Sequence, residues 1–160
     1  MNAAKGGAAH VHAVDISQTV IDMAQHHADI NGLQERMSFE TADVFDLLKA
    51  LKKQPRVYDM IILDPPAFTK SRETISHAVK GYREINTAAM KLLPRGGYLA
   101  TCSCSHFMNE GLFKSMLHEA ALAAGVSLRQ IEARQQSCDH PILWNVPETS
   151  YLKFYIFQIT

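Results

Sequence analysis

The 160-residue sequence has little cysteine, no net charge and no long hydrophobic run. None of its apolar stretches approaches the roughly 20 residues that cross a bilayer, and its first residues lack the charged-then-apolar order of a secretory signal. The three cysteines, Cys102, Cys104 and Cys138, are an odd number, and a bridge between the first two would be strained on one strand. We therefore expect free thiols in a cytoplasmic protein that does not enter a membrane.

The balance of charge limits how the chain could bind nucleic acid. Sixteen basic residues match sixteen acidic ones, so the chain lacks the strongly basic surface of proteins that hold nucleic acid by charge alone. The sequence contains no repeat, no low-complexity tract and no linker rich in Pro, Gly or Ser. Its length suits one hydrophobic core. The prediction is a single domain over residues 1–160.

Apolar runs alternate with amphipathic segments along the chain, an order typical of the α/β fold class. Helices separate nearly all the strands, so most of the sheet should be parallel. An irregular segment joins the last two strands, which predicts an antiparallel hairpin at the carboxy terminus. The predicted strands are 10–16, 36–43, 58–64 (buried on both faces), 96–105, 127–136 and 151–159, and the predicted helices are 17–31, 44–54, 75–93 (interrupted at Gly81) and 109–125.

Three acidic residues, Asp15, Asp43 and Asp64, stand at the carboxyl ends of three of the predicted strands. Ligands of open α/β sheets bind beyond the carboxyl ends of the strands. A carboxylate there can accept hydrogen bonds from ribose hydroxyls or from an adenine amino group. The three positions together suit a cofactor that contains adenosine. Taken singly, Asp15 could begin a turn and Asp43 could cap the following helix.

The stretch "MIILDPPAFTK" ends a predicted buried strand on an acid and two prolines. Proline fixes the chain direction and removes a hydrogen-bond donor, so Asp64, Pro65 and Pro66 should form a stiff lip at the mouth of a site. Phe68 could then stack on a nucleobase and Lys70 could bind a phosphate. The structural alternative is a proline turn followed by a solvated loop.

The run "TCSCSH" places two cysteines at the end of another strand. Carbon 5 of a pyrimidine is a poor nucleophile, and an enzyme can activate it by adding a thiolate to carbon 6. Cys104, at the strand end beside the Asp64 strand, is placed for this step, whereas Cys102 lies one step deeper on the same face and is interpreted as core. A buried, inert Cys104 is the alternative.

Seven segments form an ordered set that covers nearly the whole chain: "VDIS" (14–17), "ADVFDLL" (42–48), "YDMIILDPPAF" (58–68), "GYREIN" (81–86), "LLPRGGYLATCSCS" (92–105), "DHP" (139–141) and "PETSYLK" (147–153). In this set the chain resembles the class I methyltransferases of the large-subunit ribosomal RNA cytosine-5 type. Full-length members of that family carry an amino-terminal PUA-type RNA-binding domain.

The resemblance implies a Rossmann-like catalytic domain that uses S-adenosyl-L-methionine to methylate cytosine C5 in ribosomal RNA. It also implies a role for each matching residue. The cofactor would contact Asp15, Ile16, Asp43, Val44 and Asp64, the nucleophile would be Cys104 with Asp64 beside the methyl donor, and the RNA would contact Pro65, Pro66, Phe68 and Lys70. No metal site is expected.

Two considerations leave other functions open. Related cytosine-5 RNA enzymes often carry a second cysteine directly after the Pro-Pro pair, where this chain has Ala67. Other enzymes on the same scaffold methylate guanine at nitrogen 7, a reaction that needs no thiol. A guanine N7 methyltransferase and an inactive, cofactor-binding remnant are therefore the alternatives to the cytosine reaction.

The amino terminus departs from the family pattern. Family members begin the domain with a strand and a glycine-rich turn that wraps the cofactor, whereas "MNAAKGGAAH" looks like the tail of the following helix. The expectation is a truncated catalytic domain without its first, central strand. Because unpaired strand edges are costly, the gap would be closed by direct pairing of the neighbouring strands, by a swapped homodimer or by a missing segment.

Overall fold

The computed structural model describes residues 1–53, 58–69 and 71–160, except for the side chain of Arg72. The described chain falls into two compact units, Met1–Ala50 and Leu51–Thr160. The single domain over residues 1–160 stays a prediction.

The smaller unit contains a short parallel sheet and its helices. Its elements in chain order are α1 Asn2–Lys5, β1 Val11–Asp15, α2 Gln18–Ile30, β2 Met37–Thr41 and α3 Val44–Leu51, the last of which ends one residue into the larger unit. Strands β1 and β2 pair in parallel, with Val11 opposite Met37 and Asp15 opposite Thr41. Their carboxyl ends therefore lie at the same edge of this sheet.

Local sequence sets the limits of α2. The hydroxyl of Ser17 accepts the backbone N–H of Val20 at 3.4 Å, and Gly32 follows the helix with a φ of +65°. A polar cap at the start and a glycine in the left-handed region past the end are the usual signals of helix limits. The predicted helix over 17–31 is thus confirmed to within a residue at each end. The predicted end of α3 at residue 54 lies outside the described residues.

The larger unit contains a mixed four-stranded sheet. Its elements are β3 Met60–Leu63, α4 Ile75–Leu92, β4 Tyr98–Ser103, α5 Glu110–Ala124, β5 Leu128–Arg134 and β6 Lys153–Ile159, and the strand order is β3-β4-β6-β5. Strands β3 and β4 are parallel, while β6 is antiparallel to both β4 and β5. The predicted carboxy-terminal antiparallel hairpin is confirmed, and β6 inserts between its partner β5 and the parallel pair.

Two details of the predicted elements are wrong. Helix α4 runs unbroken through Gly81, because Ala78, Tyr82 and Ile85 form one buried helical face that packs on both sides of the glycine. Strand β3 is not buried on both faces, since Met60 and Ile62 are 44% and 59% exposed. Alternate residues of a strand point to opposite faces, and only one face of β3 is covered.

No helix in the described ranges is long and apolar enough to cross a membrane.

Candidate active site

The carboxyl edge of the smaller sheet holds two of the predicted acids. Asp15 ends β1, is half-buried and accepts the backbone N–H of Ser17 at 2.8 Å through Oδ1. Asp43 is exposed and accepts the N–H of Phe45 at 2.7 Å, also through Oδ1. One oxygen of each carboxylate therefore holds the following turn. Within the described residues, no hydrogen bond is found to the second oxygen, Oδ2, of either side chain.

The two apolar residues predicted at the cofactor are also at this edge. Ile16 directly follows β1 and is 71% exposed. Val44 begins α3 and is half-buried. An exposed isoleucine beside a carboxylate with a free oxygen offers an apolar surface and a polar acceptor to the same ligand, as a nucleoside requires.

The Asp-Pro-Pro segment begins directly after β3 in the larger unit. Asp64 is exposed, Pro65 is half-buried and Pro66 is exposed. The thiol of Cys102 donates to Oδ1 of Asp64 at 3.0 Å and lies 3.5 Å from the carbonyl oxygen of Leu63. Burial of the thiol is the larger of two causes, with its hydrogen bond to the Asp64 carboxylate, that raise the pKa of Cys102 far above its usual range. Cys102 is therefore a protonated donor and no nucleophile.

Cys104 lies just past the end of β4, one residue beyond Ser103. It is half-buried and carries a free thiol, while Cys102 is buried and Cys138 is exposed. Leu63 of β3 stands opposite Thr101 of β4, so Asp64 is level with Cys102, and Cys104 follows about 7 Å further along the chain direction. The larger unit thus brings Asp64 and both strand-end cysteines to one edge of its sheet.

A buried hydrogen-bond network joins the Asp-Pro-Pro segment to the Cys104 segment. Tyr82 of α4 is fully buried, and its hydroxyl oxygen accepts the Ser103 hydroxyl at 3.0 Å and the backbone N–H of Phe68. The hydroxyl of Ser105 donates to the carbonyl of Thr69 at 3.1 Å. Buried hydrogen bonds therefore join residues 68–69, which follow the Asp-Pro-Pro segment, to the residues on both sides of Cys104.

The predicted base-stacking residue Phe68 is half-buried, and its ring centroid lies 4.6 Å from that of Tyr82. Part of its aromatic surface is therefore packed against the protein. Lys70, the predicted phosphate contact, lies outside the described residues. In the described part of the chain, no group of three or more His, Cys, Asp or Glu residues is arranged to hold a metal ion.

Two features of this edge were missed by the sequence reasoning. One is the Cys102 to Asp64 hydrogen bond, since strand alternation showed only that the two cysteines share a face. The other is Lys153, the first residue of β6, which pairs with Ser103 in the antiparallel ladder. No local sequence signal gives that register, which depends on β6 inserting beside β4.

Strands and helices alternate along both units as in α/β proteins, and solved methyltransferase structures share this Rossmann-like fold. Comparison with known proteins gives the family. The profile of the family described as "Methyltransferase domain" matches residues 1–150, and the chain belongs to this family. The predicted fold class and the predicted class of enzyme, a methyltransferase, are thereby confirmed. S-adenosylmethionine is the methyl donor expected for this family.

The chain is similar to several curated proteins. It is 41% identical over 158 residues to the Ribosomal RNA large subunit methyltransferase I of Shewanella amazonensis, covering 98% of this chain and 40% of that protein. Its identity to the protein of the same name from Aeromonas salmonicida is 43% over 152 residues, covering 94% and 38%. The chain thus spans about 40% of the length of the relatives it matches.

Solved structures share the fold. The structure of SMU.776, a proposed methyltransferase in complex with SAH, superposes with a TM-score of 0.85 at 23% identity, covering 98% of this chain and 40% of that one. TrmN from Thermus thermophilus superposes with a TM-score of 0.60 at 24% identity, covering 94% of this chain and 36% of that one. At these identities the likeness shows the fold alone.

Proposed function

We propose that this chain catalyses the S-adenosylmethionine-dependent methylation of a base in ribosomal RNA. The proposed position is C5 of cytosine, methylated through a covalent adduct with Cys104. The observation that carries the proposal is the free, half-buried thiol of Cys104 at the sheet edge where Asp64 also lies. The 41% identity to a ribosomal RNA large subunit methyltransferase supports ribosomal RNA as the substrate.

The proposed cofactor contacts are Asp15, Ile16, Asp43, Val44 and Asp64. The residues at the smaller sheet fit an adenosyl group, because Oδ2 of Asp15 and of Asp43 has no hydrogen bond within the described residues and Ile16 presents an exposed apolar surface. S-adenosylmethionine, when bound, supplies an electrophilic methyl group.

The proposed chemistry assigns the bond changes to Cys104. Its thiolate forms an S–C bond to carbon 6 of the cytosine, and the electron pair of the C5–C6 double bond becomes available at carbon 5. Carbon 5 would then take the methyl group of bound S-adenosylmethionine, whose methyl–sulphur bond would break to leave S-adenosylhomocysteine. The proton on carbon 5 leaves to water, the S–C bond breaks, and the thiolate and the C5–C6 double bond are restored. Pro65, Pro66 and Phe68 are the proposed base contacts and Lys70 the proposed phosphate contact.

Ribosomal RNA from cells that lack the gene tests the reaction. Mass spectrometry should show loss of one 5-methylcytidine, restored by the wild-type gene and by Cys138→Ser but not by Cys104→Ser. Cys138 is the matched control because it is an exposed, free cysteine in a loop. Loss of 7-methylguanosine instead, with rescue by Cys104→Ser, would reassign the chain to guanine N7 methylation.

Calorimetry with S-adenosylhomocysteine separates both reactions from an inactive remnant. Micromolar binding, unaffected by Cys104→Ser, is expected for a working cofactor site. A chain that binds no S-adenosylhomocysteine would support the remnant. Cytoplasmic location and assembly into a homodimer stay predictions.

A further inference from the structure

The surroundings of Cys104 include a cation that has no assigned part in the reaction. Lys153 begins β6 opposite Ser103, the residue before Cys104. Its Nζ donates to the carbonyl oxygen of Ser105 at 2.6 Å and to that of Tyr151 at 2.8 Å. The ammonium is therefore fixed at the backbone of the residue that follows Cys104. An ammonium has three N–H donors, so one remains beyond these two bonds.

The ammonium of Lys153 lies in a half-buried position, where desolvation disfavours a charge. Burial lowers the pKa of the Lys153 ammonium, and a negative charge on the neighbouring Cys104 sulphur opposes that shift. A lysine that served only to fill space would extend its ammonium into water. Instead, Lys153 is half-buried and its ammonium is held by two backbone carbonyls.

The other ionisable groups around Cys104 do not supply a positive charge. Tyr82 of α4 and Cys102 of β4 both interact electrostatically with Cys104, and burial raises the pKa of each, so both are neutral at pH 7. Asp64, at the end of β3, is bound to Cys102 and adds negative charge to the same edge. His106, two residues beyond Cys104, is exposed. Among the described groups facing the thiol, Lys153 is thus the cation.

We propose that Lys153 is a positioning residue that holds a positive charge beside Cys104 and stabilises its thiolate. The inference rests on the proposed function for the use of that thiolate, which adds to a pyrimidine carbon. A nucleophilic thiol must ionise near neutral pH. An opposite charge within about 4–6 Å favours the charged form by about 1–3 pH units.

The test measures ionisation of the thiol directly, with neither RNA nor cofactor present. The 160-residue chain is alkylated with iodoacetamide across a range of pH, and peptide mass spectrometry follows Cys104 and Cys138 separately. In each chain, the rate of Cys138 serves as the internal reference for the rate of Cys104.

Substitution of the lysine is the comparison that decides. Lys153→Met should slow alkylation of Cys104 at pH 7 about tenfold and raise its midpoint by about one unit, while Cys138 is unchanged. Lys153→Arg, which keeps the charge, should restore most of the rate. Lys91→Met, which removes the same charge from an exposed position in the last turn of α4, is the matched control and should leave Cys104 unchanged.

A folded Lys153→Met chain with an unaltered Cys104 profile would overturn the proposal. The outcome is independent of the reaction catalysed. Loss of 7-methylguanosine in the RNA experiment would refute cytosine methylation and leave the alkylation profiles as they are, whereas an unaltered profile would leave the assignment of the methylated base untouched.

Discussion

Tyr82→Phe tests the buried network that joins the Asp-Pro-Pro segment to the Cys104 segment. The substitution removes one oxygen and keeps the ring, which packs on Phe68 with centroids 4.6 Å apart and edge-on to Phe113 at 5.9 Å. Apolar packing should therefore be preserved. The change isolates the hydrogen bonds to the hydroxyl.

The expected cost follows from the donors that lose their acceptor. The backbone N–H of Phe68 and the hydroxyl of Ser103 both donate to the Tyr82 oxygen. A buried donor left without a partner costs about 1–3 kcal/mol. Because the hydroxyl of Ser103 can rotate toward another acceptor whereas the backbone N–H cannot, the free energy of unfolding should fall by about 2 kcal/mol.

Urea denaturation followed by far-ultraviolet circular dichroism measures this change. Tryptophan fluorescence is a poor probe here, since Trp144 is 99% exposed. Tyr98→Phe is the control, because Tyr98 is 38% exposed and its hydroxyl makes one long contact with Gln158 at 3.4 Å; it should cost less than about 0.5 kcal/mol. A loss for Tyr82→Phe as small as that of the control would refute the role given to the hydroxyl.

The start of α5 yields two further predictions. Asn109 accepts the N–H of Leu112 at 2.9 Å, so Asn109→Ala should lower the free energy of unfolding by about 1 kcal/mol in urea, with Asn109→Asp close to wild type; equal stability of all three chains would contradict the cap. Hydrogen bonds from Lys114 and Tyr155 lower the pKa of Glu110 in the folded chain. Ionised Glu110 therefore stabilises the fold at pH values above its pKa in the unfolded chain, and this stabilisation is lost as the pH falls through its lower pKa in the folded chain. Glu110→Gln should flatten the fall in stability between about pH 5 and pH 3, and an unchanged slope in acid denaturation would exclude this contribution.

Much of the fold could be predicted from local patterns. The helices predicted over 17–31 and 109–125 agree closely with α2 and α5, which Ser17 and Asn109 cap and which end before Gly32 and at Gly125, with φ of +65° and +74°. Such signals act within one turn of the chain, so they are legible without the tertiary structure. Gly81 was misjudged because a glycine weakens an isolated helix, whereas the buried face of α4 outweighs that local preference.

The candidate site was predicted as a set of strand ends, with Asp15, Asp43, Asp64 and Cys104 each following a strand. Sequence order is enough for this, because parallel strands present their carboxyl ends at a common edge. The partners of these residues could not be predicted. The acceptor of the Cys102 thiol depends on the register of β3 against β4, and register is set by side-chain packing across strands.

Patterns along the chain were enough to predict the fold class, the approximate helices and the strand ends that carry the acids and the thiol, because each depends on residues close together in the sequence. Three contacts could be known only from the folded chain: the Cys102 thiol donates to Asp64, the Ser103 hydroxyl donates to Tyr82, and Lys153 donates to the carbonyl of Ser105. These contacts join residues 21 to 48 positions apart, and strand insertion and helix packing bring such residues together.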